Sequence, residues 1–249
     1  MQGPPVIIPL GRGSARGDCE LRYLLRSIDR HLKGHGGIYL VTDRCPGFIN
    51  RNTVNVVKAG DAHADNKDAN LHDKVLAVLR GYDVDDFIFA ADDNVVMQDV
   101  DAAMLPVLHQ TRTSDTCGEA TSRWGRRLAH TLDWAASRGA AVSHPLECHA
   151  PQLFHGRAIL EGMDAVDYAS QPGLTIYTTW RVLDGTWRDA VPLEGYKTTL
   201  ENRDATRLMD MTDADLKARM FLGYNDGAVA CGMLDRLARL FPSRSIYER

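Results

Sequence analysis

Two rhythms of apolar residues run through the first half of the chain. PVIIPL (Pro5–Leu10), GIYLVTD (Gly37–Asp43), TVNVVKA (Thr53–Ala59) and DFIFAA (Asp86–Ala91) have the length and β-branched or aromatic content of buried strands. The segments between them repeat at helical spacing. In CELRYLLRSIDRHLK, Leu21, Leu24, Leu25, Ile28 and Leu32 share one face, which leaves Arg22, Arg26 and Arg30 elsewhere around the helix. In DNKDANLHDKVLAVLRGY, Leu71, Val75, Val78 and Leu79 lie on one side, an Asp or Asn supplies the N-cap, and Gly81 stands where a helix C′ glycine is expected.

The resulting order is strand, helix, strand, strand, helix, strand. It predicts an α/β fold with a mostly parallel central sheet flanked by helices, in which ligands gather beyond the carboxyl ends of the strands. Farther along, SRWGRRLAHTLDWAASRG reads as a helix that packs Leu128, Leu132 and Trp134 and turns Arg123, Arg126 and Arg127 to water. Short elements follow around HAPQLFHGRAIL and TIYTTWRVL, and residues 184–207 carry no assignable pattern. TDADLKARM has an N-cap Thr or Asp, FLGYND (Phe221–Asp226) is a short strand, and AVACGMLDRLARLF is an amphipathic helix stopped by Pro242. With no repeat, linker or low-complexity stretch, residues 1–249 are expected to form one Rossmann-like domain.

Composition narrows the class. A 249-residue chain with 44% hydrophobic residues can bury an ordinary core, and a net charge of -4 lacks the positive field of a general nucleic-acid coat. The five cysteines are scattered and odd in number, which argues against a disulfide framework or zinc ribbon and fits a reducing cytoplasm. Neither a leader nor an apolar run of roughly 18 residues is seen, so no membrane partner is expected.

Chemistry concentrates where FIFAADDNVVM carries an apolar strand into Asp92-Asp93-Asn94. Two carboxylates and an amide there are either a polar turn or oxygen ligands for a hard cation, Mn²⁺ or Mg²⁺, that leave coordination positions open for phosphate. Adjacent residues of an extended chain point to opposite sides, so one of the two aspartates is expected to bind directly. Asn66, Asn70 and Lys74 share one edge of the second helix and are candidates to face a nucleotide or sugar, with Lys67 adding a charge near phosphate; a capped, solvated helix start is the alternative. Gly11, Arg12 and Gly13 form a glycine-rich turn that can offer N–H groups and a guanidinium to phosphate, without matching a dinucleotide or Walker fingerprint. His149 in ECHAPQLFHG is a candidate third metal ligand or diphosphate contact, with His144 and His155 as competitors. Asn225 and Asp226 end another short strand, and Asp226 is a candidate general base or an N-cap.

These segments in their order resemble a known family. ELRYLLRSIDRHL, IYLVTD, NKDANLHDKVLAVL, FIFAADDNVVMQDVD, HAPQLF, FLGYNDGAV and FPSRSIYE are similar to the motif series of Stealth-type capsule sugar-phosphate transferases and to small phage-encoded glycosyltransferase-like proteins. The opening VIIPLGRGS departs from the Asp-bearing opening of Stealth proteins. The resemblance implies a GT-A-like fold, with a nucleotide-sugar half at 1–100 and an acceptor-side and closing half at 101–249. It implies metal at Asp92 or Asp93, His149, Asn225 and Asp226 lining the same site, and Arg22 approaching the nucleotide. The expected activity is metal-dependent sugar transfer from a nucleoside-diphosphate sugar to a hydroxyl, in the host cytoplasm if the chain is phage-encoded. Acceptors considered are a hydroxymethylated base of phage DNA, near Arg112, Arg123, Arg126, Arg127 and His130, or a glycan. Sugar-1-phosphate transfer and a non-catalytic nucleotide-sugar binding module are the alternatives.

Overall fold

The structure is a computed structural model that describes residues 3–11, 16–64, 66–113, 116–117, 121–162, 166–168, 171 and 173–249. Its strands are β1 (Val6–Pro9), β2 (Leu32–Lys33), β3 (Ile38–Val41), β4 (Val54–Val57), β5 (Asp86–Phe89), β6 (Asn94–Val96), β7 (Val100–Asp101), β8 (Leu108–His109), β9 (Gln152–His155), β10 (Val191–Pro192), β11 (Lys197–Leu200) and β12 (Phe221–Tyr224). The helices used below are α1 (Cys19–His31), α2 (Lys67–Gly81), α3 (Arg123–Ser137), α4 (Gly156–Gly162), α5 (Ile176–Asp184), α6 (Asp213–Leu216), α7 (Asp226–Ala230) and α8 (Met233–Leu240).

The main sheet runs β4-β3-β1-β5-β9, with the first four strands parallel and β9 antiparallel at the edge. The expected α/β class with a mostly parallel central sheet is therefore what the chain adopts. Side-chain alternation assigns the two faces. Val6, Ile8, Ile38, Leu40 and Ile88 pack with Leu21, Leu24, Leu25 and Ile28 of α1. Ile7, Val41, Phe87 and Phe89 pack on the other face against Val75, Val78 and Leu79 of α2 and Tyr177 and Trp180 of α5. Burial on both faces is why these strands read as continuous apolar runs.

A second sheet, β11-β12-β6, pairs β11 with β12 in parallel and β12 with β6 antiparallel, and α7 and α8 cover it through Val229, Met233 and Leu237. Since β6 begins at Asn94, the Asp92-Asp93 turn is the hinge between the two sheets.

Several local expectations change. Gly81 is the last residue of α2 rather than a C′ glycine, and the extended backbone of Tyr82 ends the helix. The long closing helix is two helices, broken at Gly232, whose φ of 93° a β-carbon would strain. Residues 184–207, unpatterned in sequence, contain β10 and β11 between 3-10 turns. Arg127 is drawn inward instead of facing water: its Nη2 donates to Asp68 Oδ2 at 2.5 Å and to Leu174 O at 2.8 Å.

Candidate functional site

β5 delivers Ala90 fully buried, and the chain then turns through half-buried Asp92 and Asp93 before β6 begins. Burial pushes the Asp92 carboxyl up to about 6, with Glu20 and then Asp18 adding negative charge nearby. Burial raises Asp93 as well; His149 and Lys197 oppose that rise while Asp92 and Glu201 add to it. Asn94 Nδ2 donates to Asp93 Oδ1 at 2.7 Å, and the Tyr224 N–H donates to Asp93 O at 3.1 Å. The second contact sets the end of β12 against Asp93. Among the described residues around the acids, the buried oxygens without a hydrogen-bond partner include Asp18 Oδ1, Glu20 Oε2, Asn94 Oδ1 and the Tyr224 hydroxyl. Asp18 and Glu20 stand at the start of α1, Asp18 in the left-handed conformation with φ 57°. Unpaired buried oxygens are costly in a completed site, and here they cluster on one patch of negative charge.

His149 is the other non-glycine residue with positive φ among the described residues, at 45°. Its ring sits between Trp124 and Tyr177, with centroids 6.1 and 5.8 Å away. The turn is held from both sides. Glu147, buried, accepts from Thr175 Oγ1, from Thr178 N at 2.9 Å and from Thr178 Oγ1 at 2.8 Å at the start of α5. Lys197 Nζ donates to Cys148 O and His149 O, each at 2.9 Å. The competing histidines are placed elsewhere. His155 pairs with Asp86 at 2.8 Å, at the opposite end of β5 and roughly 20 Å from Asp92 by strand rise, and His144 stacks on His109 with centroids 4.5 Å apart.

The donor-side candidates divide. Asn66 caps α2 by accepting from Ala69 N and donates to Tyr168 O; Lys67 is exposed. Asn70 spends both side-chain atoms on His63, accepting from its N–H at 2.8 Å and donating to its carbonyl at 2.7 Å. Lys74, its side chain 2% exposed, donates to Leu10 O at 2.8 Å and Asp61 Oδ1 at 2.6 Å. Both are thus turned into the loops that follow β1 and β4 rather than projected outward, because a buried amide and ammonium must be satisfied internally. Gly11 is exposed beside Asp61, while Arg12 and Gly13 lie outside the described residues. Arg22 is held by the C-terminal tail: it donates to Glu248 Oε2 at 2.9 Å and lies 4.2 Å over the Phe48 ring. Asn225 is the N-cap of α7, accepting from Gly227 N, and Asp226 is exposed on its first turn.

Beside the His149 turn opens a cavity of about 480 Å³ whose lining includes Gln110, Arg112, Trp124, His149, Lys197 and Glu201. Asp92 and Asp93 are not in that lining; His149 and Lys197 connect the cavity to them. Among the described residues no group of three or more His, Cys, Asp or Glu is arranged to hold a metal by itself, so His149 does not complete a closed set with the aspartates. No described helix is long and apolar enough to cross a membrane. Trp124, Glu147, Lys197, Glu201 and Tyr224 escaped sequence reasoning. Only the acids of GDCEL, before an amphipathic run, carried a readable signal for Asp18 and Glu20.

No family model matches the chain, and no curated protein is significantly similar to it.

Proposed function

We propose that the protein is a glycosyltransferase of GT-A-like architecture, binding a nucleoside-diphosphate sugar and Mn²⁺ or Mg²⁺ at the carboxyl ends of the parallel strands. The observation that carries this is the Asp92-Asp93 pair, two half-buried carboxylates with raised affinity for protons, held at the hinge between two sheets beside unpartnered acidic oxygens. Such a patch is stabilised by a cation. Cations of this kind are commonly held by one or two carboxylates, the substrate phosphates completing the shell, so a pair of acids without a third ligand among the described residues fits the chemistry. Asp92 and Asp93 would hold the ion, which when bound supplies positive charge against the departing diphosphate.

The remaining roles fall to the chain. His149 borders both the acids and the cavity and is placed to contact the diphosphate or the reacting sugar. In transfer, the acceptor oxygen bonds to the anomeric carbon as the bond from that carbon to phosphate breaks, and the acceptor proton passes to a base. In an inverting reaction Glu201, which faces the cavity, is better placed for this than exposed Asp226. In a retaining reaction the departing phosphate takes the proton.

The acceptor side favours a glycan over modified DNA. Glu194, Glu201 and Asp204 line the cavity against Arg112 and the internally bonded Lys197, a balance that repels a phosphate backbone. Half-buried Trp124 supplies an apolar surface suited to a sugar ring. The test is product analysis after incubation with a panel of nucleotide sugars and Mn²⁺. Release of a nucleoside diphosphate supports this reading; a monophosphate would instead assign sugar-1-phosphate transfer, and donor binding without turnover a binding module.

A further inference from the structure

Lys197 begins β11 with its side chain 2% exposed, and its counter-ion is the partly exposed Glu201. Its Nζ donates to Cys148 O and His149 O at 2.9 Å each and to Glu201 Oε1 at 3.3 Å, which accounts for all three ammonium donors. Two successive carbonyls on one cation need a backbone that is not extended. In an extended chain they point to opposite sides, and the left-handed conformation of His149 turns them to the same side. For a non-glycine residue that conformation costs about 1–2 kcal/mol, and it persists only where the surroundings over-determine it.

The route of the side chain is equally specific. Lys197 passes over Gly223 of β12, where a β-carbon would lie 2.2 Å from Lys197 Cε, 2.4 Å from Nζ and 2.9 Å from Asn94 Oδ1. A β-carbon at 223 would therefore push the ammonium off its present path to the His149 turn. The same residue stands opposite Asn94, whose amide donates to Asp93.

We propose that Lys197 is the positioning residue of the site, its buried ammonium holding the Cys148-His149 peptide in the left-handed turn that presents the His149 imidazole to Asp93 and to the cavity. The role in turnover rests on the glycosyltransferase reading; the role in placing His149 does not. Lys197→Met keeps the side-chain volume and removes the donors, whereas Gly223→Ala leaves the charge and blocks its path, so the two reach the same contact independently.

The experiment follows the imidazole NMR signals of His149, identified by their loss in His149→Gln, together with donor turnover. In both variants the His149 signals are expected to move to the position of a solvated histidine, with kcat down about tenfold and the donor KM within about threefold of wild type. In the double variant Gly223→Ala, Lys197→Ala, removal of the lysine relieves the clash, so the loss is smaller than the sum of the two single changes. If Lys197→Met does not fold, Gly223→Ala carries the test. His149 signals that stay at their wild-type positions in the folded variants overturn the proposal. Wild-type protein that turns over no donor, with His149 displaced in the variants, would overturn the glycosyltransferase reading and leave the positioning role standing.

Discussion

The side-chain amide of Asn94 donates to the carboxylate of Asp93 at 2.7 Å, so the first residue of β6 fixes an acid of the turn that follows β5. One consequence is that the acid pair is stored at a cost. The Asp92 carboxyl, ordinarily near 3.8, is raised to about 6 by burial and by Glu20, and Asp93 is raised in the same direction. A carboxyl raised in the fold contributes its stability when protonated. That contribution is complete below pH 4 and is lost as pH rises through 6. Asp92→Asn and Asp93→Asn are therefore expected to stabilise the protein at pH 7.5 by about 1–2 kcal/mol each and to have little effect near pH 4. Urea unfolding at the two pH values measures this; equal effects at both would show that the charge is not penalised.

The C-terminal tail predicts the opposite sign. Burial works against the charge of Glu248, but Arg26, Ser245 N–H and Arg22 outweigh it and hold the carboxyl below its ordinary 4.5. Its stabilisation is present above pH 4.5 and is lost as pH falls through the lowered value. Glu248→Gln should cost about 2 kcal/mol at pH 7, and the difference from wild type should shrink on acidification. Thermal midpoints between pH 7 and 3 report it.

The left-handed backbone of His149 separates side-chain from main-chain effects. His149→Gly removes the conformational penalty that His149→Ala keeps, so the glycine variant should be the more stable by about 1 kcal/mol. Both variants should lose donor turnover, since the imidazole is gone from each. Denaturant midpoints paired with turnover decide the point.

Trp124 borders the cavity that is proposed above to take the acceptor. Trp124→Ala is expected to raise the acceptor KM about tenfold while release of diphosphate to water, without acceptor, stays near wild type. Loss of both to the same degree would place Trp124 on the donor.

The parallel sheet was legible because its strands are buried on both faces and α1 is amphipathic, so strand runs and helical spacing were plain in PVIIPL, GIYLVTD and ELRYLLRSIDRHL. α5 was hidden by the same physics. Ile176 to Arg181 are all buried, so no polar face marks its period, and Ile176, Thr178 and Thr179 are β-branched like strand residues. β11 is four residues between 3-10 turns, too short to show alternation, and Lys197 on it reads in sequence as an ordinary surface lysine. Asn70 and Lys74 show the reverse error: helical spacing put them on one edge, but spacing alone cannot tell an outward edge from one that ties down neighbouring loops. Arg22 belonged to a contact with Glu248 that spans nearly the whole chain and that no local pattern encodes.

Cation binding at the hinge is the central claim, and Mn²⁺ titration followed by electron paramagnetic resonance tests it most directly. With nucleoside diphosphate present, wild-type protein is expected to take up one Mn²⁺ per chain, more tightly at pH 7.5 than at pH 5.5, and Asp93→Asn to lose that uptake while remaining folded. Uptake that is unchanged in Asp92→Asn and Asp93→Asn would contradict the account.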